Sequence, residues 1–257
     1  MKITNPAFDY DSKGHHYSEI RKADPRIGKY VHKSLEGCNT ILNVGAGTGS
    51  YEPDDKFVVA VEPSAVMRAK RLALGRNPAV NARADDLPFD DGSFDAVMAV
   101  LTIHHWPDLK AGLLEVNRVA KKKITILTYD PDMLDVFWNA KYFPQLIEIE
   151  RSRYPKLDRI AEYLAEEITI TNIKIPFDCT DGFQEAFYGR PEAFLQQEVR
   201  NAQSAWGFLN KEIEHTYVKR LSDDLASGEW DRLYGYHRTL PEFEGAFRLL
   251  EVDLLKS

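Results

Sequence analysis

Cysteine is scarce in this chain: its 257 residues hold two, Cys38 and Cys179, far apart, with no CxxC pair and no histidine at metal-ligand spacing. A disulfide framework and a zinc centre are both disfavoured, no metal is expected, and the two thiols read as small buried hydrophobes. Long apolar runs are also missing. The opening MKITNPAFDYDSKG has no hydrophobic stretch behind its early lysine, and no window approaches the ~18 apolar residues of a membrane helix. A soluble, cytoplasmic protein without a membrane partner is expected. Basic residues are outnumbered, 33 Lys and Arg against 40 Asp and Glu for a net charge of −7, so the chain repels phosphate backbones and nucleic acid is disfavoured as a partner. The 15 glycines and 13 prolines are dispersed, which excludes collagenous and low-complexity readings.

What is present is core material. With 44% hydrophobic and 11% aromatic residues, a chain of this length suits a single α/β core carrying an insertion. Asp24-Pro25 starts a helix that runs through Ile27, Val31 and Leu35 to Gly37, with an N-cap and a proline at the first helical position. Thr40 to Val44 reads as a strand, followed by the glycine loop Gly45-Ala46-Gly47-Thr48-Gly49. A second strand, Phe57 to Val61, ends at Glu62, and Ser64 caps a helix running to Gly75. Further strands are expected over Ala79 to Ala84, Phe94 to Val100 and Ile124 to Thr128, with a helix after Asp108. Alternating strands and helices of this length argue for a mostly parallel sheet, with ligands at the carboxyl ends of its strands.

The second half is less regular. A helical stretch from Met133 to Leu164 precedes a strand over Ile168 to Pro176, a mostly helical block from Arg190 to Trp230, and a last strand over Ala246 to Val252. About seventy residues between the last two strands is too long for a hairpin and suits a cap over a site. Phe183, Phe187, Tyr188, Phe194, Trp206 and Phe208 fall in that block; core packing of the cap explains them best, and some should face the cleft.

The strongest chemical signal is Asn43-Val44-Gly45-Ala46-Gly47-Thr48-Gly49 with an acid, Glu62, closing the next strand. Glycines there admit a ligand close to the backbone, and an acidic strand end can take both hydroxyls of a ribose, so an adenosine-bearing ligand is implied. A dinucleotide fingerprint needs glycine at position 50, where Ser50 stands, and GxGxG fits a cofactor without a pyrophosphate.

With Ile41–Gly49, Val58–Ser64 (VVAVEPS), Leu87–Ala96 (LPFDDGSFDA) and Ile103–Asp108 (IHHWPD) in order, the chain resembles the class I S-adenosylmethionine-dependent methyltransferases. The likeness is to their small-molecule branch, which includes the ubiquinone/menaquinone and trans-aconitate methyltransferases. It covers residues 40 to 130, about a third of the chain. It implies a Rossmann-like seven-stranded sheet in the order 3-2-1-4-5-7-6, mostly parallel with the last strand antiparallel, and a helical cap. In that frame residues 1–37 form a helical segment closing over the cofactor, residues 38–177 and 246–257 the core, and residues 178–245 the acceptor cap.

Carried over residue by residue, the resemblance implies that Gly45, Ala46 and Gly47 border the methionine part of S-adenosylmethionine, that Glu62 binds the ribose, and that Pro63 and Met67 lie near the adenine. Ala84, Asp85 and Leu87 would flank the base, and Val100 and Leu101 would support the sulfonium end. Tyr17 and Arg21 would close over the methionine carboxylate, which a guanidinium can clamp.

Three departures stand out. Asn43 replaces an acid but keeps an acceptor oxygen. Arg83 stands where relatives have an acid facing the adenine amino group, leaving that contact to Asp85 or to backbone. The segment from Ser50 to Lys56 is too short for the helix that normally follows the loop, so a turn is expected there, with a reduced dipole at the cofactor.

Methyl transfer needs alignment of nucleophile, methyl and sulfur more than it needs chemistry from side chains. His105, and next His104, are the candidates for a catalytic base beside the methyl position. Arg190, Tyr188, Trp206, Asp178 and Asp181 could hold an acceptor or serve the fold. The alternatives are a catalytically silent S-adenosylmethionine- or S-adenosylhomocysteine-binding partner protein, and a methyltransferase acting on protein or RNA. The sequence leaves the acceptor, the atom methylated and the oligomeric state open.

Overall fold

The computed structural model of the protein describes residues 20–255. Seven strands form one sheet: β1 Thr40–Val44, β2 Phe57–Val61, β3 Ala79–Val80, β4 Phe94–Val100, β5 Ala120–Tyr129, β6 Thr169–Pro176 and β7 Glu242–Asp253, in the order 3-2-1-4-5-7-6. Strands β1 to β5 pair in parallel, and β7 runs antiparallel to both its neighbours, β5 and β6. The expected order and the antiparallel last strand are both present.

Side chains alternate across the sheet, and the two faces bury separate clusters. Ile41, Met98 and Leu127 face one side, where helix α1 (Pro25–Ser34) lays down Ile27 and Val31. Leu42, Val97 and Ile126 face the other, against Leu113 and Val116 of α3 (Leu109–Val119) and Ile160 and Leu164 of α6 (Leu157–Leu164). Helix α1 starts as its sequence directs, with the Asp24 carboxylate accepting from Arg26 N and a proline inside the first turn. Ser64 and Asp108 cap α2 (Ala65–Ala73) and α3 in the same way.

Two departures from expectation bear on the site. Strand β3 is two residues rather than six, because Ala82 N turns back to Val80 O and Asp86 N to Arg83 O. The stretch expected to be helical from Met133 to Leu164 is broken into α4 (Asn139–Tyr142), α5 (Pro144–Arg153) and α6, with Pro144 opening α5 and Pro155 separating it from α6.

The connection from β6 to β7 carries helices α7 (Gln197–Asn201), α8 (Lys211–Ser227) and α9 (Glu229–Tyr234), with short 3-10 turns between them. It does not form a cap by itself. Phe143 meets Phe194 and Trp206 at ring-centroid distances of 5.4 and 4.9 Å, and Trp138 meets Trp230 at 5.5 Å. The cap is therefore built from both the β5–β6 and the β6–β7 connections. Five of the six aromatics singled out in the sequence are buried in it, and Phe208 is half-buried under Arg153. Both cysteines are buried and free.

Candidate functional site

A cleft of about 340 Å³ opens at the carboxyl ends of β1, β2 and β4. The glycine loop forms its floor. Gly45 and Gly49 hold φ of +68° and +92°, a region costly for residues with a Cβ. A Cβ on Gly45 would stand 1.9 Å from Thr102 Oγ1, and one on Gly49 would stand 2.8 Å from Arg71 Nη1. Ala46 N donates to Val61 O at 2.9 Å, which ties the loop to β2.

The segment after the loop is a turn, as expected: no helix lies between β1 and β2. A buried ion pair fixes it instead. Arg71 of α2 donates to both oxygens of Glu52, at 2.7 and 2.9 Å, and both side chains are almost fully excluded from solvent. Asn43 Nδ2 donates to the same carboxylate at 2.8 Å. A carboxylate can only accept, so the amide nitrogen faces Glu52 and Asn43 Oδ1 is the atom left to the cleft, which Asn43 lines. The pair also accounts for the departure from an acid at this position, because an aspartate there would set a second carboxylate against Glu52.

Glu62 leaves β2 buried, its two carboxylate oxygens accepting from Gly47 N and Ser64 N, each at 2.8 Å. These bonds join the glycine loop to the start of α2 through one side chain that offers about four acceptor positions. Pro63, Met67, Ala84, Val100 and Leu101 also line the cleft, as do Arg21, Asn43, Gly45, Ala46, Gly47, Glu62 and His105. Twelve of the residues anticipated for the site thus share one surface.

Asp85 and Leu87 are not on that surface. Asp85 turns its carboxylate to the Arg83 guanidinium, at 2.7 and 2.9 Å, and that guanidinium holds its pKa below the usual carboxylate range. Leu87 packs into the core on the α3 side of the sheet, and its amide donates to Glu115. Tyr17 lies outside the described residues. The cleft adds residues that were not expected to touch the cofactor: Thr48, Ser50, Tyr51, Ser64, Arg83, Thr102, Trp106 and Pro107. Thr48, Ser64, Trp106 and Pro107 fall inside the quoted motifs and the others lie close to one in the chain, which is the signal that could have found them.

Arg21 stands where the N-terminal segment meets the cap. Its Nε donates to Asp181 Oδ1 at 2.5 Å, and the Tyr51 hydroxyl donates to Asp181 Oδ2 at 2.7 Å. Asp181 is therefore a buried anchor, whereas Asp178 is an exposed partner of Arg26. Arg190 donates to the carbonyls of Cys179 and Ala186 and stacks on Phe187, Tyr188 packs in the aromatic core with its hydroxyl on Leu240 O, and Trp206 lies among Phe143 and Phe194. All three serve the cap's own packing.

A second cavity, about 40 Å³, lies behind the first and shares Arg21, Leu101 and His105 with it. His104 lines only this inner cavity. The two imidazoles meet in a tilted arrangement with centroids 3.9 Å apart, and His104 meets the Tyr154 ring, also tilted, at 4.2 Å. Burial, with Arg153 and Arg21 nearby, pushes His105 down to about 3, and burial drives His104 well below the usual range. Arg153 Nη2 lies 3.4 Å from His105 Nδ1, and a guanidinium can only donate, so Nδ1 accepts and the ring proton sits on Nε2. Both rings are neutral at physiological pH. The proton-accepting role expected of them is disfavoured, because a base that weak gives little driving force for proton transfer.

The model of a family described as "Methyltransferase domain" matches residues 42–128. Among curated proteins, the chain is similar to the ubiquinone/menaquinone biosynthesis C-methyltransferase of Citrifermentans bemidjiense, 31% identical over 129 residues that cover 42% of this chain and 53% of the relative. It is also similar to 2-methyl-6-phytyl-1,4-hydroquinone methyltransferase 1 of Oryza sativa, 23% identical over 58% of this chain and 46% of that one. The chain spans about half the length of the curated relatives it matches. Among solved structures, a putative methyltransferase from an antibiotic biosynthesis pathway of Anabaena variabilis superposes with a TM-score of 0.85 at 31% identity, over 92% of this chain and all of that one. A likeness of that extent reaches through the cap as well as the sheet, and the chain belongs to the class I S-adenosylmethionine-dependent methyltransferases.

Proposed function

We propose that the protein transfers the methyl group of S-adenosylmethionine to a small-molecule acceptor bound under the cap. The observation that carries this reading is the arrangement of the two cavities. The outer one has the glycine loop and Glu62 of a nucleoside site, and it meets an inner one across Arg21, Leu101 and His105. In this reading Glu62 takes the ribose hydroxyls and Pro63, Met67 and Ala84 enclose the adenine. Gly45, Ala46 and Gly47 border the methionine chain, Asn43 Oδ1 accepts from its ammonium, and Arg21 faces its carboxylate. Val100 and Leu101 then support the sulfonium end at the wall of the inner cavity.

When bound, the cofactor supplies an electrophilic methyl on a cationic sulfur. The chain's residues bind it, exclude water and hold the acceptor in line, which can supply most of the acceleration. Neutral His105 donates from Nε2 and shapes the wall between cavities. The blocks 38–177 with 246–257 act as core, and 178–245, joined by α4 and α5, covers the acceptor.

Calorimetric titration of S-adenosylmethionine and S-adenosylhomocysteine, with a nicotinamide dinucleotide as control, tests the reading. Both sulfur ligands should bind and the control should not. Glu62→Ala, which removes two hydrogen bonds to a charged group at ~1.5–3 kcal/mol each, should weaken binding by about a hundredfold or more. Unchanged affinity in that variant, or dinucleotide binding, would overturn the assignment. Formation of S-adenosylhomocysteine in a metabolite pool separates an enzyme from a silent binding protein.

A further inference from the structure

The lining of the inner cavity is aromatic and acidic. Tyr129, Phe137, Tyr154 and Phe183 contribute rings, and Glu150 and Glu185 contribute carboxylates. The charges on this wall do not balance. Glu150 pairs with Arg153 at 3.2 Å and accepts from Gln184 Nε2 at 3.1 Å, and Arg21 pairs with Asp181. Glu185 has no cationic side chain in ion-pair contact among the described residues; its Oε1 accepts from Ala246 N at 2.7 Å, and its Oε2 is buried without a hydrogen-bond partner.

Three more buried polar atoms of the same lining lack partners among the described residues: Tyr129 Oη, Asn139 Oδ1 and His104 Nδ1. Buried polar groups are satisfied in the great majority of cases, so four on one small cavity point to a polar occupant. The amide orientation is fixed by its neighbours. Glu150 accepts from Gln184 Nε2, so Gln184 Oε1 is the atom that takes Asn139 Nδ2 at 2.9 Å, and Asn139 is left with an acceptor oxygen. An unmatched carboxylate, an amide oxygen and aromatic rings together favour a hydrogen-bond-donating cation over an anion or an apolar group.

We propose that the inner cavity is the acceptor subsite and takes a small amine, whose nitrogen donates to Glu185 and Asn139 beside the Tyr129 and Phe183 rings, with Glu185 as the group that removes its proton. The proposal rests on the methyl-transfer reading and names the acceptor class within it. A cavity of about 40 Å³ accommodates a head group of a few heavy atoms, since holding a single water takes ~10–15 Å³. The amine enters as its ammonium form and gives one proton to the Glu185 carboxylate. The freed lone pair then forms the N–C bond as the C–S bond breaks, sulfur keeps that electron pair, and the products are an N-methylammonium and a neutral thioether. Burial pushes Glu185 up to about 7, suited to this exchange near neutrality. Arg248 of β7 and the backbone amides of Ala246 and Phe247 lie beside its carboxylate and Tyr129 of β5 is close to it, while Arg21, Glu150, Tyr154 and the two neutral histidines line the same cavity.

The test is calorimetry on the full chain saturated with S-adenosylhomocysteine, titrated with methylammonium, ethanol and acetate at pH 6 and pH 8. Methylammonium should bind, more tightly at pH 8, where Glu185 is ionised, and acetate should not. Glu185→Gln should weaken methylammonium binding at least tenfold at pH 8 and flatten its pH dependence. Asn139→Leu, which keeps the volume and removes the acceptor, should weaken it independently. Absence of methylammonium binding, preference for ethanol, or equal binding in Glu185→Gln would overturn the proposal while the methyl-transfer reading stands. Failure of S-adenosylhomocysteine itself to bind would remove both.

Discussion

Replacing Arg71 with methionine tests the account of the missing helix. In the native chain the Arg71 guanidinium makes two short contacts to Glu52 in a site closed to solvent, and its Nε also donates to Asn77 O. Methionine fills much of the volume but leaves the Glu52 carboxylate buried against only the Asn43 amide. Removing one partner of a buried pair costs about 3–5 kcal/mol because the other charge is stranded. For a chain of this size each kcal/mol moves the melting temperature by roughly 2–4 °C, so a fall of about 10 °C is expected in a calorimetric or circular-dichroism melt. The brace on Asn43 and Gly49 goes with it, so affinity for S-adenosylhomocysteine should fall in the same variant. Adding Glu52→Leu removes the stranded charge, and the double variant should recover at least half of the lost stability. It should stay somewhat below wild type, since Asn43 Nδ2 then lacks its acceptor, at ~1–3 kcal/mol. A drop of less than about 2 °C in the single variant, or a double variant that loses the sum of both, would refute the role given to this pair.

Gly45→Ala combines a left-handed φ, worth about 1–2 kcal/mol against a residue with a Cβ, with the collision at Thr102 Oγ1; titration should show S-adenosylhomocysteine binding abolished, and retained affinity would mean that the loop conformation is wrong. His105→Asn should keep turnover within about tenfold and leave the pH–rate profile above pH 5 unmoved, since base catalysis would contribute ~10²–10⁴-fold; a loss of that size would restore the histidine as a base. Glu185→Gln should be more stable than the native protein at pH 8. The native carboxyl is pushed up to about 7 from an ordinary 4.5, so the folded state binds more protons than the unfolded one across that interval and native stability falls as pH rises through it. The variant escapes this loss, amounting to about 3 kcal/mol above pH 7; parallel urea titrations at pH 5 and pH 8 measure it, and an equal difference at the two pH values would contradict a raised Glu185.

Much of the sheet is legible in the residues because short local signals decide it. Asp24 before α1, Ser64 before α2 and Asp108 before α3 start helices by accepting from orphan backbone donors, Pro25 removes one such donor, and a motif confined to residues 41–108 carries most of the cleft. The shortened loop-to-β2 connection is legible too, since seven residues from Ser50 to Lys56 leave no room for a full helix and the return to β2. The chemistry of the inner cavity is not. Tyr129, Asn139, Glu150, Gln184 and Glu185 come from separate elements with no shared spacing, and only tertiary packing brings them together. The neutrality of His105 is hidden for the same reason, because it depends first on burial and then on Arg153, which lies 48 residues away in the chain. Asp85, expected beside the base, is taken instead by Arg83 two residues earlier.

The aromatic cluster that joins the cap to the sheet is continuous: Phe143, Phe194 and Trp230 of the cap belong to the same buried assembly as Ile27, Leu127 and Phe247 beneath it. A lid of this kind cannot swing away as a rigid body without exposing the sheet's own interior. Such a protein should melt in one cooperative step, and its substrates should enter through local breathing near Arg21 rather than through domain opening. Diversification is constrained in the same way. A homologue with a different acceptor would acquire it by changing single lining residues of the inner chamber, because exchanging the cap wholesale would require replacing two non-adjacent stretches of chain and the hydrophobic interior they share.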